Sequence, residues 1–244
     1  MPQLTYDPAR QAAEAAARVE RDELVILNGL VPLAAQNIVE PGCGAARLAR
    51  QLLERWPACH VTGLEVDGIQ HQKNLAAPAR HLRFLKAGAQ DMPLPDASFD
   101  LALMLKSLHH VPVALMDDAL AEVRRVLRPG GYLYVSEPIY AGALNELMRL
   151  ANDEVVVRAE AQAALNRACA GGGWQREHDL YFDVPVHFAD FAEFERRMLG
   201  ATFVEQNRDA DTLSRLRALF APHQTAEGAF FTRPMHVTLM RVAV

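Results

Sequence analysis

A glycine turn between two acidic residues is the part of this chain whose residue types and spacing favour chemistry. Glu40 ends a short apolar run, and Gly42, Cys43 and Gly44 follow within four positions. Glycines at such a turn allow tight backbone geometry and the close approach of a ligand. Glu65 lies 21 positions after Gly44, at the end of a second apolar run, and a carboxylate at this distance commonly binds a ribose diol. The pattern predicts a nucleotide pocket where two parallel strands end.

Three further segments follow this turn in order along the chain. They are residues 87–95 (AGAQDMPLP), residues 98–104 (SFDLALM) and residues 127–133 (LRPGGYL). Together with the glycine turn, they resemble the class I S-adenosylmethionine-dependent methyltransferases over about residues 30–140. The resemblance implies an α/β, Rossmann-like fold: a seven-stranded mixed sheet flanked by helices, with an antiparallel last strand and a helical cover inserted after strand five.

The resemblance also implies S-adenosylmethionine as cofactor and a set of residues that bind it. The turn from Glu40 to Gly44 would pass beside the methionine part, and the strand end at Glu65 would bind the ribose. Backbone groups near Ala89 would edge the adenine, and Lys106 would lie beneath the methionine part. The full set implied is Tyr6, Glu40, Gly42, Cys43, Gly44, Glu65, Val66, Ala89, Gln90 and Lys106.

Two positions depart from the family pattern. Ala46 stands where a third glycine is usual, a small loss because alanine is also small. Gly88 stands where an acidic residue often contacts the adenine amino group. Either Gln90 or Asp91 replaces that contact, or the contact is absent.

A dinucleotide dehydrogenase is the competing interpretation of the glycine turn. Its fingerprint requires a third small residue three positions after the second glycine, and that position is Arg47 here. Glu40 would also repel a pyrophosphate, whereas it suits a cofactor that carries an ammonium and a sulfonium. The sequence therefore disfavours a dehydrogenase.

His109 and His110 follow the fourth predicted strand and are the candidate catalytic residues. Methyl transfer requires a general base only when the nucleophile must lose a proton. A structural role for the pair is the alternative, and the sequence does not separate the two histidines. No metal site is predicted, because the three cysteines lack a paired spacing and His178 and His187 lie nine positions apart.

Composition limits the partners and the compartment. The chain has 244 residues, of which half are apolar, and a formal charge of −5. This charge disfavours nucleic acid as the main partner, and no apolar run is long enough for a membrane span. Free cysteines and the absence of a signal pattern predict a cytoplasmic location. We expect a small-molecule substrate and a monomer or homodimer.

The predicted organisation is a single domain over residues 1–244. It divides into an N-terminal helix (1–29), a cofactor-binding core (30–138), a helical cover or lid (139–190) and a C-terminal part of the sheet (191–244). Alanine-rich composition predicts helices over about residues 7–27 and 143–170. Late strands are predicted near residues 201–206 and 234–242, and Trp174, His178, Tyr181 and His187 of the cover are candidate pocket residues.

The function predicted from the sequence is methyl transfer from S-adenosylmethionine to a small molecule by in-line displacement. Two alternatives remain open at this stage. One is a methyltransferase that acts on a macromolecule. The other is a module that binds the cofactor without catalysis and acts through a protein partner.

Overall fold

The computed structural model of the chain describes residues 6–200 and 206–244, in which helices alternate with strands. The helices are α1 (Pro8–Ala15), α2 (Glu23–Leu30), α3 (Arg47–Arg55), α4 (Gly68–Leu75), α5 (Met116–Val126), α6 (Ala143–Ala151), α7 (Val155–Ala170), α8 (Phe191–Met198) and α9 (Ala210–Phe220). The strands are β1 (Asn37–Pro41), β2 (His60–Leu64), β3 (Leu82–Leu85), β4 (Phe99–Leu105), β5 (Leu127–Pro138), β6 (Trp174–Phe188), β7 (Gln224–Thr225) and β8 (Gly228–Val242). Short 3₁₀ turns span Leu108–His110, Val113–Leu115 and Ala221–His223.

The strands form one mixed sheet in the order β3-β2-β1-β4-β5-β8-β6, and β7 pairs only with β8. Neighbours from β3 to β5 are parallel, whereas β8 runs antiparallel to both β5 and β6. This arrangement confirms the predicted Rossmann-like sheet with an antiparallel last strand. The two-residue β7 is an addition to the seven strands expected.

Apolar side chains of helices cover both faces of the sheet. Side chains of α5 and α7 pack on one face, and side chains of α2 and α3 pack on the other. The central strand β4 is apolar on both faces, as expected for a parallel strand covered on both sides. The carboxyl ends of β1, β2, β4 and β5 therefore meet at one edge of the sheet, where ligands bind in open α/β folds.

The N-terminal helix predicted over residues 7–27 is interrupted. Asp7 caps α1 by accepting from the Arg10 backbone N–H at 3.1 Å, and Asp22 caps α2 in the same way. Between them the chain pairs with β6, because Asp183 accepts from the Glu20 backbone N–H at 2.9 Å and donates to the Arg18 carbonyl at 2.7 Å. Helix propensity alone does not reveal this tertiary pairing.

The predicted helical cover is smaller than expected. Its helix over residues 143–170 breaks into α6 and α7, and between them Asp153 accepts from the Val155 backbone N–H at 3.1 Å. Residues 174–188 form the strand β6 instead of a cover. Residues 201–205 of the predicted sixth strand lie outside the described residues, and Gln206 is not in a strand. The pocket candidates of the cover, which are Trp174, His178, Tyr181 and His187, lie on β6.

A phenylalanine cluster joins the late elements. Phe188 ends β6 and packs edge-on against Phe194 of α8 at a centroid distance of 5.4 Å. Phe191 packs in the same way on Phe220 of α9. These spaced phenylalanines therefore serve packing between β6, α8 and α9. Within the described ranges, each helix is too short or too polar to cross a bilayer.

Candidate active site

The glycine turn after β1 is held tightly by its neighbours. The backbone N–H groups of Gly42 and Cys43 both donate to the Leu64 carbonyl at 2.9 Å. Gly42 has a φ of +73°, and a Cβ there would lie 2.6 Å from the Cβ of Ser107. The Ser107 hydroxyl donates to the Pro41 carbonyl at 3.0 Å, which ties the ends of β1 and β4 together. Glycine at position 42 is thus required by both conformation and space.

Glu65 lies directly after β2 and is oriented by two backbone groups. One carboxylate oxygen accepts from the Gly44 N–H at 2.9 Å, and the other accepts from the Asp67 N–H at 2.8 Å. Each oxygen keeps further lone pairs for a ligand. The neighbouring Val66 is exposed and available as an apolar surface. The structure therefore brings the predicted ribose residue and the glycine turn into direct contact.

Glu40 is a buried carboxylate at the end of β1 with one unsatisfied oxygen. It is 3% exposed, and its Oε2 has no hydrogen-bond partner among the described residues. Burial raises the pKa of Glu40 to about 8, and the charge of Lys106 offsets part of this effect. Burial, and then Glu40, also raise the pKa of the Cys43 thiol, so Cys43 is a neutral packing residue.

The loop after β3 contains the two residues predicted to edge the adenine. Ala89 is buried and packs in the main apolar cluster. The amide of Gln90 folds over Gly88, where it occupies the space that a side chain at position 88 would take. Asp91 pairs with Gly88 through the backbone. Position 88, where the family usually has an acidic residue, is thus a glycine, and the Gln90 amide occupies the space of the missing side chain.

Lys106 directly follows β4 and has a backbone conformation that non-glycine residues rarely adopt. Its φ is +54°, and its backbone N–H donates to the Ser136 carbonyl at 2.8 Å. The residue is exposed at the carboxyl edge of the sheet. Such conformations in non-glycine residues often mark functional sites. The side chain is available to a ligand bound over the glycine turn.

A buried histidine–carboxylate pair lies where β4 and β5 end. His109 is 4% exposed, and its Nδ1 forms a short hydrogen bond with Glu137, which also accepts from the Leu108 N–H at 2.9 Å. Burial alone would raise the pKa of Glu137, but the charge and hydrogen bond of His109 outweigh burial and lower it. Because a carboxylate only accepts, the Nδ1–H of His109 donates, and in the neutral form of the ring Nε2 carries the lone pair.

His110 differs from its neighbour in burial. Its ring tilts against that of His109 at a centroid distance of 4.0 Å, while the residue as a whole is exposed. Desolvation on the packed side, and then the charge of His109, lower the pKa of His110 below its ordinary value. The sequence did not separate the two histidines, whereas the structure orients His109 through a buried carboxylate.

His109, His110 and Glu154 form a cluster whose ligand atoms lie within 4.8 Å of one another. Glu154, however, is already held by Arg158 through an ion pair of 2.6 Å. A metal ion would have to displace this guanidinium from the only carboxylate of the cluster. The arrangement therefore favours proton chemistry at His109, and the predicted absence of a metal stays a prediction.

Tyr6 lies beside the end of β5 and not at the glycine turn. It lines a cavity of about 10 Å³ with Gln11 of α1, Glu137, Arg158 of α7 and His236 of β8. His236 forms a second histidine–carboxylate pair with Asp179 at 2.7 Å. This buried polar group was not found from the sequence, because its members come from distant elements without a motif. The predicted contact of Tyr6 with the cofactor stays a prediction.

Comparison with known proteins finds a family model that matches the cofactor half of the chain. Residues 39–135 match the family model described as a methyltransferase domain. The chain contains a methyltransferase domain. This match agrees with the predicted resemblance to the class I methyltransferases. The methyltransferase domain includes the glycine turn, Glu65, Lys106 and His109, and ends within β5.

Curated relatives and solved structures agree with this assignment. The chain is 37% identical over 107 residues to the fatty-acid O-methyltransferase of Mycolicibacterium smegmatis. The aligned segment covers 42% of this chain and 37% of that protein. The chain is 28% identical over 241 residues to the malonyl-[acyl-carrier protein] O-methyltransferase of Serratia marcescens. Here the aligned segment covers 92% of this chain and 88% of that protein. A SAM-dependent methyltransferase of Methanosarcina mazei has the same fold, with a TM-score of 0.58, 16% identity and coverage of 90% and 97%. The chain spans between 37% and 59% of the first three curated relatives.

Proposed function

We propose that this protein transfers the methyl group of S-adenosylmethionine to an oxygen atom of a small-molecule acceptor. The observation that carries the proposal is the pair of carboxylates on either side of the glycine turn. Glu40 is buried with an unsatisfied oxygen, and Glu65 is oriented by the backbone of Gly44 and Asp67. The two match the ammonium and the ribose diol of this cofactor.

Glu40 fits the cationic end of the cofactor. A buried carboxylate without a partner is costly, and a cation placed beside it removes that cost. The raised pKa of Glu40, about 8, shows that the free site disfavours a negative charge. An ammonium group would hold Glu40 ionised and hydrogen-bond to Oε2. An anionic pyrophosphate would do the opposite.

Glu65 and the loop after β3 fit the nucleoside end. Charge-assisted hydrogen bonds from ribose hydroxyls to Glu65 are of the stronger kind. Ala89 provides a buried small residue beside the base, and the Gln90 amide lies in the position of the missing acidic side chain. Gln90 is therefore the residue proposed to contact the adenine amino group.

The bound cofactor supplies a methyl group on a sulfonium, which is a good leaving group. The protein aligns acceptor and methyl group and excludes water. His109 accepts the proton of an acceptor hydroxyl at Nε2, because its Nδ1–H is fixed by Glu137. The carboxylate of Glu137 stabilises the imidazolium that results, and Leu108 holds that carboxylate in place. An acceptor that is already ionised needs no base.

The relatives and the fold support the acceptor class. Both curated relatives reported above are named O-methyltransferases, which supports oxygen as the acceptor atom. The ends of β4 and β5 lie beneath α7, whose Arg158 and Glu154 close over His109. A small enclosed acceptor suits this covered site better than a macromolecular surface does.

Calorimetric titration with S-adenosylmethionine and with its demethylated product tests the cofactor. We expect micromolar binding of both and no response to NAD. The loaded protein is then offered a panel of aliphatic alcohols, phenols and carboxylic acids, and the demethylated cofactor is quantified. Binding without turnover of any acceptor would favour the non-catalytic module, and absence of binding would overturn the site assignment.

A further inference from the structure

Arg233 carries a positive charge that the described residues leave without an acidic partner. It lies near the middle of β8, opposite Val184 of β6. Its Nη2 contacts the sulfur of Met198 at 3.8 Å, and no carboxylate of the described residues forms an ion pair with it. A thioether is a weak acceptor and does not compensate a cation. The neighbouring Arg158 and Arg197 are each paired with a glutamate.

The neighbouring charges make this position less favourable for a cation. The pKa of Arg233 is lowered to about 10, first by desolvation and then by the charges of Arg158 and Arg197, while Glu154 opposes these effects in part. Arg158 is paired with Glu154 at 2.6 Å, and Arg197 is paired with Glu193 at 3.1 Å. Arg233 stays charged at neutral pH, so it is a partly buried cation among cations. Such a group is unfavourable unless a ligand pairs with it.

Arg233 is electrostatically linked to the candidate active site. Glu154, one of the charges that act on Arg233, lies 3.8 Å from the Nε2 of His109. Arg149 and Arg158, which also lie in this part of the molecule, are both engaged with glutamates. Of these three arginines, Arg233 is the one whose guanidinium has no carboxylate partner among the described residues.

We propose that Arg233 binds an oxyanion of the acceptor, a carboxylate or a phosphate. The proposal rests on the proposed function and specifies its substrate class. A guanidinium presents a planar fork of donors that matches either group. The Met198 sulfur and the Val184 side chain give the anion an apolar surrounding, which strengthens the pairing.

Arg233→Met is the test variant, because methionine fills similar space without charge. Arg197→Met is the matched control, since Arg197 is paired and its side chain is 45% exposed. Thermal unfolding of the free proteins is measured first. We expect Arg233→Met to unfold about 3 °C higher than wild type, because it removes an uncompensated cation. An arginine with a structural role would give a lower midpoint, and that result would overturn the proposal.

Binding is then probed with octanoate, octanamide and inorganic phosphate. We expect octanoate or phosphate to raise the midpoint of wild type and of Arg197→Met by about 2 °C, and to leave Arg233→Met unchanged. A response to octanoate alone indicates a carboxylate acceptor, and a stronger response to phosphate indicates a phosphate ester. Equal responses to octanoate and octanamide, or equal responses of Arg233→Met and wild type, would overturn the proposal.

Cofactor binding separates this proposal from the proposed function. Calorimetry with S-adenosylmethionine is run on wild type and Arg233→Met. We expect equal affinities, because Arg233 lies on β8, away from the glycine turn. If neither protein binds the cofactor while wild type still binds octanoate through Arg233, the proposed function fails and the anion site stands.

Discussion

The cofactor half of the molecule (residues 37–107) and the acceptor half (residues 108–244) are built in different ways. In the cofactor half, backbone groups orient the side chains that matter: Glu65 accepts from two N–H groups, and Ser107 donates to a carbonyl. In the acceptor half, charged side chains hold one another, as His109 and Glu137 do. Backbone geometry follows from a local motif, whereas side-chain pairs depend on elements far apart in the chain. The proposed cofactor residues can therefore be predicted from the sequence, whereas the pairing of His109 with Glu137 becomes visible only in the fold.

The largest expected effect lies in the acceptor half. His109→Gln retains a donor for Glu137 but removes the base, so we expect turnover of a hydroxyl acceptor to fall about 10³-fold. Cofactor affinity should stay unchanged, because the glycine turn is untouched. His110→Gln is the control, and we expect less than about a threefold loss for it. Steady-state kinetics with calorimetry measure both, and equal losses in the two variants would contradict the assignment.

Glu65→Ala is the corresponding change in the cofactor half. It removes two charge-assisted hydrogen bonds to the ribose, together worth about 3 kcal/mol, so affinity for S-adenosylmethionine should fall about 10²-fold. Glu54→Ala, at an exposed position of α3, is the control and should bind as wild type does. Unchanged affinity in Glu65→Ala would refute the ribose assignment and with it the contrast between the halves.

Glu40 gives a smaller effect that depends on pH. Its pKa is about 8 in the folded protein and 4.5 in the unfolded chain, so the folded state binds more protons between these values. Stability should therefore fall as pH rises through this window, by up to about 1.4 kcal/mol per pH unit. Glu40→Gln should lack this contribution and bind S-adenosylmethionine about tenfold more weakly.

Thermal unfolding of wild type and Glu40→Gln from pH 5 to pH 8 isolates this contribution, because the other titrating groups are common to both. The difference between the two midpoints should widen toward pH 8, with the variant more stable. Saturating cofactor should reduce that difference, since its ammonium pairs with Glu40. A constant difference across the range would show that Glu40 titrates normally.

The order of the core elements could be predicted from the sequence. Apolar runs that end in glycine turns or carboxylates specify parallel strands locally, and β1, β2 and β4 lie close to the predicted positions. Helix boundaries near the termini could not be predicted. Alanine-rich stretches favour a continuous helix, and only the pairing of the chain near Val19 with Asp183 explains the break before α2.

The residues of the candidate site likewise divide into those that could be predicted from the sequence and those that could not. Glu40, Gly42 and Glu65 could be proposed from spacing, because each lies at or just after a strand end in a motif. Arg233 and His236 were missed, since each lies in β8 as an ordinary strand residue and acquires its role from side chains of α7, α8 and β6. A motif specifies backbone geometry, but it does not specify which charges remain without a partner after the chain has folded.

The smallest effect distinguishes two glycines within the cofactor half itself. Gly42 and Gly44 both have positive φ, at +73° and +51°, but a Cβ at Gly42 would lie 2.6 Å from Ser107 whereas one at Gly44 meets nothing within 4 Å. Gly44→Ala should cost only the conformational strain, about 1 kcal/mol, and Gly42→Ala should cost about 2 kcal/mol more through overpacking. Chemical denaturation measures both free energies of unfolding. Equal losses would mean that the ends of β1 and β4 separate without cost. The glycine turn would then not be rigid, and backbone geometry would not distinguish the cofactor half from the acceptor half.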